Sequence, residues 1–288
     1  MIKVLKPGLF TTIQDLGRFG FQEFGVPYSG AMDVYAAKMA NALLGNSQND
    51  AVLEMTMLGP TLQFNCATLI CVSGADMQAK LNNKPIEAYK LVQVKADDVL
   101  SFSSVKKGFR AYLAVKGGFQ TETVMQSRSM YQSITENHYL SEGDTLPIES
   151  YNNQQYNPNA ALKVQHDYMG QSEIGVFKGP EFDLLTKAQQ ERLLSFNFKI
   201  SKENNRMAYQ LNEPLENTLE AIITSPVLPG TVQLTPSGKL IVLMRDCQTT
   251  GGYPRVLQLS EASISALSQK YTGQSVRFKL LVYGVRAE

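Results

Sequence analysis

The run Leu243-Met244-Arg245-Asp246-Cys247-Gln248-Thr249-Thr250-Gly251-Gly252-Tyr253-Pro254 ends an apolar stretch on a carboxylate and follows it with amide, hydroxyl and glycine residues. Asp246 and Gln248 are candidate catalytic groups there, and Thr249, Gly251, Gly252 and Tyr253 candidate substrate contacts. Donors and acceptors beside paired glycines suit hydrogen bonding to a small polar ligand. Upstream, Pro229-Gly230-Thr231-Val232-Gln233 adds Gln233, and Asn204-Asn205-Arg206-Met207-Ala208-Tyr209 adds Arg206 as a catalytic cation and Tyr209 as a binding hydroxyl. A glycine turn in a hairpin accounts for the first run as well, and a surface turn entering a strand for the last, so both readings stand for each.

A second cluster lies near the N-terminus, in Thr11-Thr12-Ile13-Gln14-Asp15-Leu16-Gly17-Arg18-Phe19-Gly20 followed by Gly25-Val26-Pro27-Tyr28-Ser29-Gly30-Ala31-Met32-Asp33. Glycines permit close backbone approach, Arg18 can clamp a carboxylate with its planar fork, and the helix start that follows favours an anion. Gln14, Asp15 and Arg18 are therefore candidate substrate-binding residues. An Asp15–Arg18 ion pair holding an irregular loop explains the same residues.

Other chemistries find little support. Three cysteines (Cys66, Cys71 and Cys247) form neither a zinc pattern nor a Cys-x-x-Cys pair, and the two histidines, His138 and His166, are too few for a multi-histidine metal site. No metal site is expected. Cys247 follows Asp246, but only Arg245 is near in sequence to stabilise a thiolate, which favours a structural role. No Gly-x-x-x-x-Gly-Lys-Ser/Thr loop occurs. Ala37-Lys38-Met39 resembles a biotin acceptor only faintly and sits in an amphipathic helix, so no biotin is expected on this chain.

The elements that must position these groups are mostly strands. Short apolar runs punctuated by Gly, Pro, Asn and Asp predict strands over Ile2–Leu5, Thr61–Phe64, Thr68–Val72, Leu91–Val94 and Arg110–Val115. Val232–Leu234, Leu240–Met244, Arg255–Leu259 and Val276–Val282 continue the pattern, and Leu81–Pro85 reads as a hairpin connection in which Pro85 cannot join the ladder. Helices are predicted over Met32–Leu44, Phe182–Leu194 and Ser260–Gln269, with Gly45 and Ser260 as caps. The polar stretch Ser150–Asn159 reads as a linker between an N-terminal β-rich subdomain, 1–150, and a C-terminal one, 160–288, carrying helix 182–194.

With 27 basic and 26 acidic residues in 288, the chain lacks the charge asymmetry expected of a nucleic-acid or anionic-membrane partner. It has no bilayer-length apolar run and no signal-peptide stretch, so a cytoplasmic location is expected.

Taken in order, these segments resemble the family of C-type 5-oxoprolinase subunits, also labelled biotin-dependent carboxyltransferase or allophanate hydrolase subunit 2 and related to urea amidolyase. The resemblance covers nearly the whole chain. It rests on Pro7-Gly8, Thr11 to Arg18, Gly30-Ala31-Met32-Asp33, Ala40-Asn41 with Gly45-Asn46, Glu54, Ser73-Gly74-Ala75, Arg110 to Val115 with Gly117-Gly118, Asn205-Arg206-Met207 with Tyr209, and Asp246 with Gln248 to Pro254. It implies a mostly β fold of cyclophilin-like β-barrel subdomains with a few helices. It also implies a B-type subunit, an A-type lactam-hydrolase subunit, and ATP-dependent opening of 5-oxo-L-proline to L-glutamate, the ATP bound with or by the partners. Relatives carry other labels: antagonist of a sporulation-kinase inhibitor, and carboxyltransferase or allophanate hydrolase component. Relatives usually have a Gly-Gly-x-x-Gly-Arg run before Gly143-Asp144. Here Gln132-Ser133-Ile134-Thr135-Glu136-Asn137-His138-Tyr139-Leu140 lacks those glycines and the arginine, which implies altered ligand binding if that loop holds an anion.

Overall fold

The computed structural model describes residues 1–152 and 167–282, which form two compact units. The first holds residues 1–19 and 29–152; the second holds 20–28 and 167–282. His166 and most of the polar stretch 150–159 lie outside the described residues.

The first unit is two antiparallel sheets and a helix. One sheet has six strands in the order 145–146, 2–6, 61–64, 99–101, 80–81, 84–85; the other has five, in the order 10–14, 52–56, 107–115, 68–76, 92–94. Side chains alternate across the second sheet because successive Cβ atoms point to opposite faces. Leu53, Met55, Ile70, Val72, Leu113 and Val115 join Ile2, Val4, Leu62 and Phe64 in one core. Val52, Leu69, Cys71, Tyr112 and Ala114 face the other way, onto helix α1, Val34–Leu44, through Ala36, Ala37, Ala40, Leu43 and Leu44. The same alternation puts Glu54 on the helix side, opposite Tyr112 in register.

Most of the expected elements are present, with three corrections. Helix α1 begins after Asp33, not at Met32, because the Asp33 carboxylate caps it by accepting from the Ala36 N–H at 3.0 Å. Pro85 does pair across from Lys80 at a sheet edge, where no N–H is needed, while Asn82 and Asn83 take positive φ in the turn. The helix expected over 182–194 is broken. A short 3-10 turn, Phe182–Leu184, stops at extended Leu185, and a new helix α2, Lys187–Ser195, starts under a reciprocal Thr186–Gln189 capping box.

The second unit is a closed barrel of seven strands, in the order 173–178, 255–259, 231–234, 240–243, 208–211, 198–204, 275–280. The last strand closes the barrel by pairing parallel to the first. Helix α3, Glu261–Ser268, is capped by the Ser260 hydroxyl as expected.

Candidate functional site

In the barrel, the turn before strand 208–211 and the end of strand 240–243 are joined by backbone bonds. Met244 N–H donates to the Met207 carbonyl at 2.8 Å, and Asp246 N–H to the Arg206 carbonyl at 2.9 Å. The turn itself is set by the Asn205 side chain, whose oxygen accepts from the N–H groups of Met207 and Ala208 at 2.8 and 3.0 Å. Arg206 and Asp246 are thereby brought side by side and pair through two hydrogen bonds, Nε to Oδ2 at 2.7 Å and Nη2 to Oδ1 at 3.0 Å. Their side chains are only 7% and 11% exposed, so this charge-assisted fork is shielded from solvent screening.

The loop after Asp246 folds back under a strap formed by residues 222–228. Val227 N–H donates to the Thr249 carbonyl at 3.0 Å, Ile222 N–H donates to the Gly252 carbonyl at 2.9 Å, and Ser225–Pro226 pairs with Thr250–Gly251. Gln233, on strand 231–234, is 2% exposed, and its amide nitrogen has no hydrogen-bond partner among the described residues. It lies against Gly251: a Cβ there would overlap the Gln233 amide, which gives that glycine a steric reason. Gln248 Oε1 is likewise buried without a partner. Unmet amide groups are expensive to bury, on the order of 1–3 kcal/mol each, so each calls for a partner such as an ordered water or a ligand. Tyr253 is 41% exposed, whereas Tyr209 is fully buried and donates its hydroxyl proton to the Lys270 carbonyl at 3.2 Å.

Cys247 is 2% exposed and packs with Val227 and Leu243. Burial, helped by neighbouring Asp246, pushes its thiol up to about 12. It therefore stays protonated near neutrality and is no nucleophile.

The N-terminal cluster is equally well ordered but differently used. The Asp15 carboxylate accepts from Gly17 N–H (2.8 Å), Ser127 Oγ (2.7 Å), Ser129 Oγ (2.6 Å) and Arg128 N–H (2.7 Å). Arg18 donates from Nε to the Val124 carbonyl at 3.1 Å and from Nη2 to the Ser129 carbonyl. Both residues pin segment 124–130 to the loop. Gln14 bridges Met130 and Gly30, donating to the carbonyl of one at 3.2 Å and accepting from the N–H of the other at 3.1 Å. All three side chains are buried, Arg18 fully.

Two features of the first unit were not among the candidate site residues. One is Glu54, whose Oε2 accepts from Tyr112 OH and Met32 N–H, both at 2.8 Å, while Oε1 lies 3.8 Å from Arg110 Nε. Burial, then the Glu54 charge, hold the Tyr112 phenol well above its usual range. The available signal was a lone carboxylate inside Val52-Leu53-Glu54-Met55. The other is a cavity of about 450 Å³ lined by Arg128 and by Thr135, Glu136, Asn137 and Leu140 of the divergent loop. Arg128 precedes that loop by only a few residues in sequence, but no motif there signals that the two line one cavity.

The carboxyltransferase domain, subdomains A and B, matches residues 24–280. The chain belongs to that family. It is 32% identical to the C-type subunit of 5-oxoprolinase from Escherichia coli (strain K12), over 96% of this chain and 90% of that protein. It is 33% identical to the corresponding 5-oxoprolinase subunit of Haemophilus influenzae, over 97% and 91%. Among solved structures it is similar to TTHA0988, with a TM-score of 0.86 and 25% identity over 96% of this chain and 55% of that one. It is also similar to the K. lactis urea amidolyase, with a TM-score of 0.85 and 28% identity over 98% of this chain and 19% of that one. This carboxyltransferase-family chain thus spans about half of the first structure's chain and a fifth of the second's. Among its described residues no helix is long and apolar enough to cross a membrane, and no group of His, Cys, Asp and Glu is arranged to hold a metal ion.

Proposed function

We propose that this chain is the C-type component of an ATP-dependent 5-oxoprolinase complex, working in the cytoplasm with B-type and A-type lactam-hydrolase subunits to open 5-oxo-L-proline to L-glutamate. The observation that carries the reading is the match along nine-tenths of the length of two C-type 5-oxoprolinase subunits. The geometry supports it. Arg206 and Asp246 hold a cation and a carboxylate in fixed register, and each Asp246 oxygen keeps a lone pair beyond the arginine bond. Gln233 and Gln248 add an amide donor and an amide acceptor whose needs no described residue meets, matching what a lactam C=O and N–H require. In this reading Asp246, Arg206 and Gln248 act on the reacting amide. Gln233, Thr249, Gly251, Gly252 and Tyr253 contact substrate, Tyr209 backs the site from the core, and Gln14, Asp15 and Arg18 order a loop that contributes to substrate binding. No phosphate loop occurs in this sequence, so an ATP site uses another binding mode or another chain; this reading places ATP with or on the partner subunits and takes the barrel as cyclophilin-like.

The likeness to urea amidolyase favours a second reading, carboxyl transfer to a ureido or amide substrate from a biotin carried by another chain. Lys38, midway along helix α1, is not assigned a biotin. The two readings separate in one experiment: the chain co-purified with B- and A-type subunits is supplied with 5-oxo-L-proline and ATP, or with a carboxylated biotin carrier and urea. Glutamate release in the first mixture alone supports the first reading.

A further inference from the structure

The cavity in the first unit bears on neither amide chemistry nor the Arg206–Asp246 pair, and its walls are chemically mixed. About 450 Å³ in volume, it is lined by one guanidinium, Arg128, and three carboxylates, Glu122, Glu136 and Asp144, together with Gln120 and Thr121. Such a volume is typical of small-molecule sites.

Three observations set what would fit. First, Arg128 Nη2 donates to Gln120 Oε1 at 3.0 Å, and its side chain makes no other hydrogen bond among the described residues, which leaves part of the planar fork for a carboxylate. Second, Glu122 Oε1 accepts from Glu136 N–H at 2.9 Å and Asp144 Oδ2 from Ser141 N–H at 2.8 Å. Each of these two keeps one oxygen without a donor among the described residues, and the Glu136 carboxylate accepts from none of them. Third, Thr121 Oγ1 is buried without a hydrogen-bond partner. Carboxylates alone would describe an ordinary solvated rim. A single arginine among them, with a buried hydroxyl left unmet, describes a site with two poles.

We propose that this cavity binds a basic α-amino acid, its carboxylate on Arg128 and its ammonium groups on Glu122, Glu136 and Asp144. The net negative lining disfavours a free anion: phosphate, or the lactam acid itself, would meet three like charges at one arginine. A ligand with two ammonium groups and one carboxylate is complementary to the lining in sign at both poles. Because Glu122 and Glu136 are exposed to solvent, screening keeps each contact weak, and selectivity arises from engaging both poles at once.

Titration calorimetry of the full chain, with neither ATP nor partner subunits present, tests this independently of the proposed reaction. L-lysine is compared with norleucine, which lacks the ε-ammonium group; with cadaverine, which lacks the carboxylate; and with 5-oxo-L-proline. Lysine should bind at least tenfold tighter than each of the other three. Arg128→Gln should remove at least tenfold of that affinity and Glu136→Gln a few-fold of it, as befits an exposed contact, while the thermal melt is unchanged. Should Arg128→Gln fail to fold, Thr121→Val provides the second variant, with a several-fold loss expected. Equal binding of lysine and cadaverine would reduce the cavity to a cation site, equal binding of lysine and norleucine would remove the acidic pole, and tighter binding of 5-oxo-L-proline would make the cavity a substrate site. Each of these outcomes, or the absence of lysine binding, overturns the proposal.

Discussion

Arg206 and Asp246 lie 40 residues apart in sequence yet meet in a two-bond fork of 2.7 and 3.0 Å, held by a backbone bond between the same two residues. The backbone contact fixes where the two chain segments cross, and the fork fixes how the charges face. A carboxylate positioned in this way presents its remaining lone pairs in a constant direction, a requirement for acting on a substrate amide.

Asp246→Ala and Arg206→Ala should each lower turnover of the assembled complex at least a hundredfold, the usual size for losing a charge-assisted contact in a transition state. Each should also destabilise the chain by on the order of 3 kcal/mol, since one charge of a largely buried pair loses its counterion. The double variant should then be more stable than the sum of the single losses predicts. Chemical denaturation and steady-state rates measure both effects, and near-normal turnover by either folded single variant would remove the pair from the site.

Gln233 separates function from stability. Its buried amide nitrogen has no partner, so Gln233→Leu should be neutral or raise stability by up to about 1 kcal/mol while lowering turnover at least tenfold. Gly251→Ala should do the reverse of the first effect, destabilising by about 1–3 kcal/mol because its Cβ would overlap the Gln233 amide. Thermal melts of the two variants, with Gly251→Ala repeated in the Gln233→Ala background to restore space, check the coupling.

Much of this was legible in sequence. The strands 61–64 and 255–259 are short mixed stretches bounded by Pro60 and Asn65 and by Pro254 and Ser260, and their limits match the expectation. The Asp246 loop stood out as an unbroken polar run after an apolar strand. Less was legible where a side chain's fate depends on distant partners. Asp15 and Arg18 look like a pair because they are three residues apart, yet they are held by Ser127, Ser129 and the Val124 carbonyl, more than a hundred residues away. Apolar periodicity predicts one continuous helix over 182–194, whereas the Thr186 capping box starts a new helix part-way along it. The unmet amides of Gln233 and Gln248 have no sequence signature at all, since satisfaction is a property of the fold.

Cys247 should resist alkylation. With its thiol pushed up to about 12, the thiolate at pH 8 is about one part in ten thousand, and burial hinders the reagent further. Iodoacetamide at pH 8, read by peptide mass spectrometry, should label half-buried Cys66 while leaving Cys247 and buried Cys71 intact until urea is added. Rapid labelling of Cys247 in the folded chain would contradict this environment.

Glu181 ties the start of the 182–184 turn to the barrel through Arg255, with Oε1 to Nη2 at 2.8 Å and Oε2 to Nε at 3.0 Å. The Arg255 hydrogen bonds hold its carboxyl below the ordinary value of 4.5. A depressed carboxyl adds stability that is present above the unfolded value and lost as pH falls through the folded one. Glu181→Gln should therefore cost about 1–2 kcal/mol at pH 7, and the gap between the two proteins should close as pH falls below about 4. A gap that persists unchanged at pH 3 in denaturation curves would assign the effect to packing.

The most direct test of the central claim is glutamate release from 5-oxo-L-proline by the chain assembled with the proposed B- and A-type subunits. The account predicts ATP-dependent glutamate formation by the full complex, none when this chain is omitted, and loss of release with Asp246→Ala. Glutamate formation at the full rate without this chain, or an intact three-subunit complex that hydrolyses no 5-oxoproline, would contradict it.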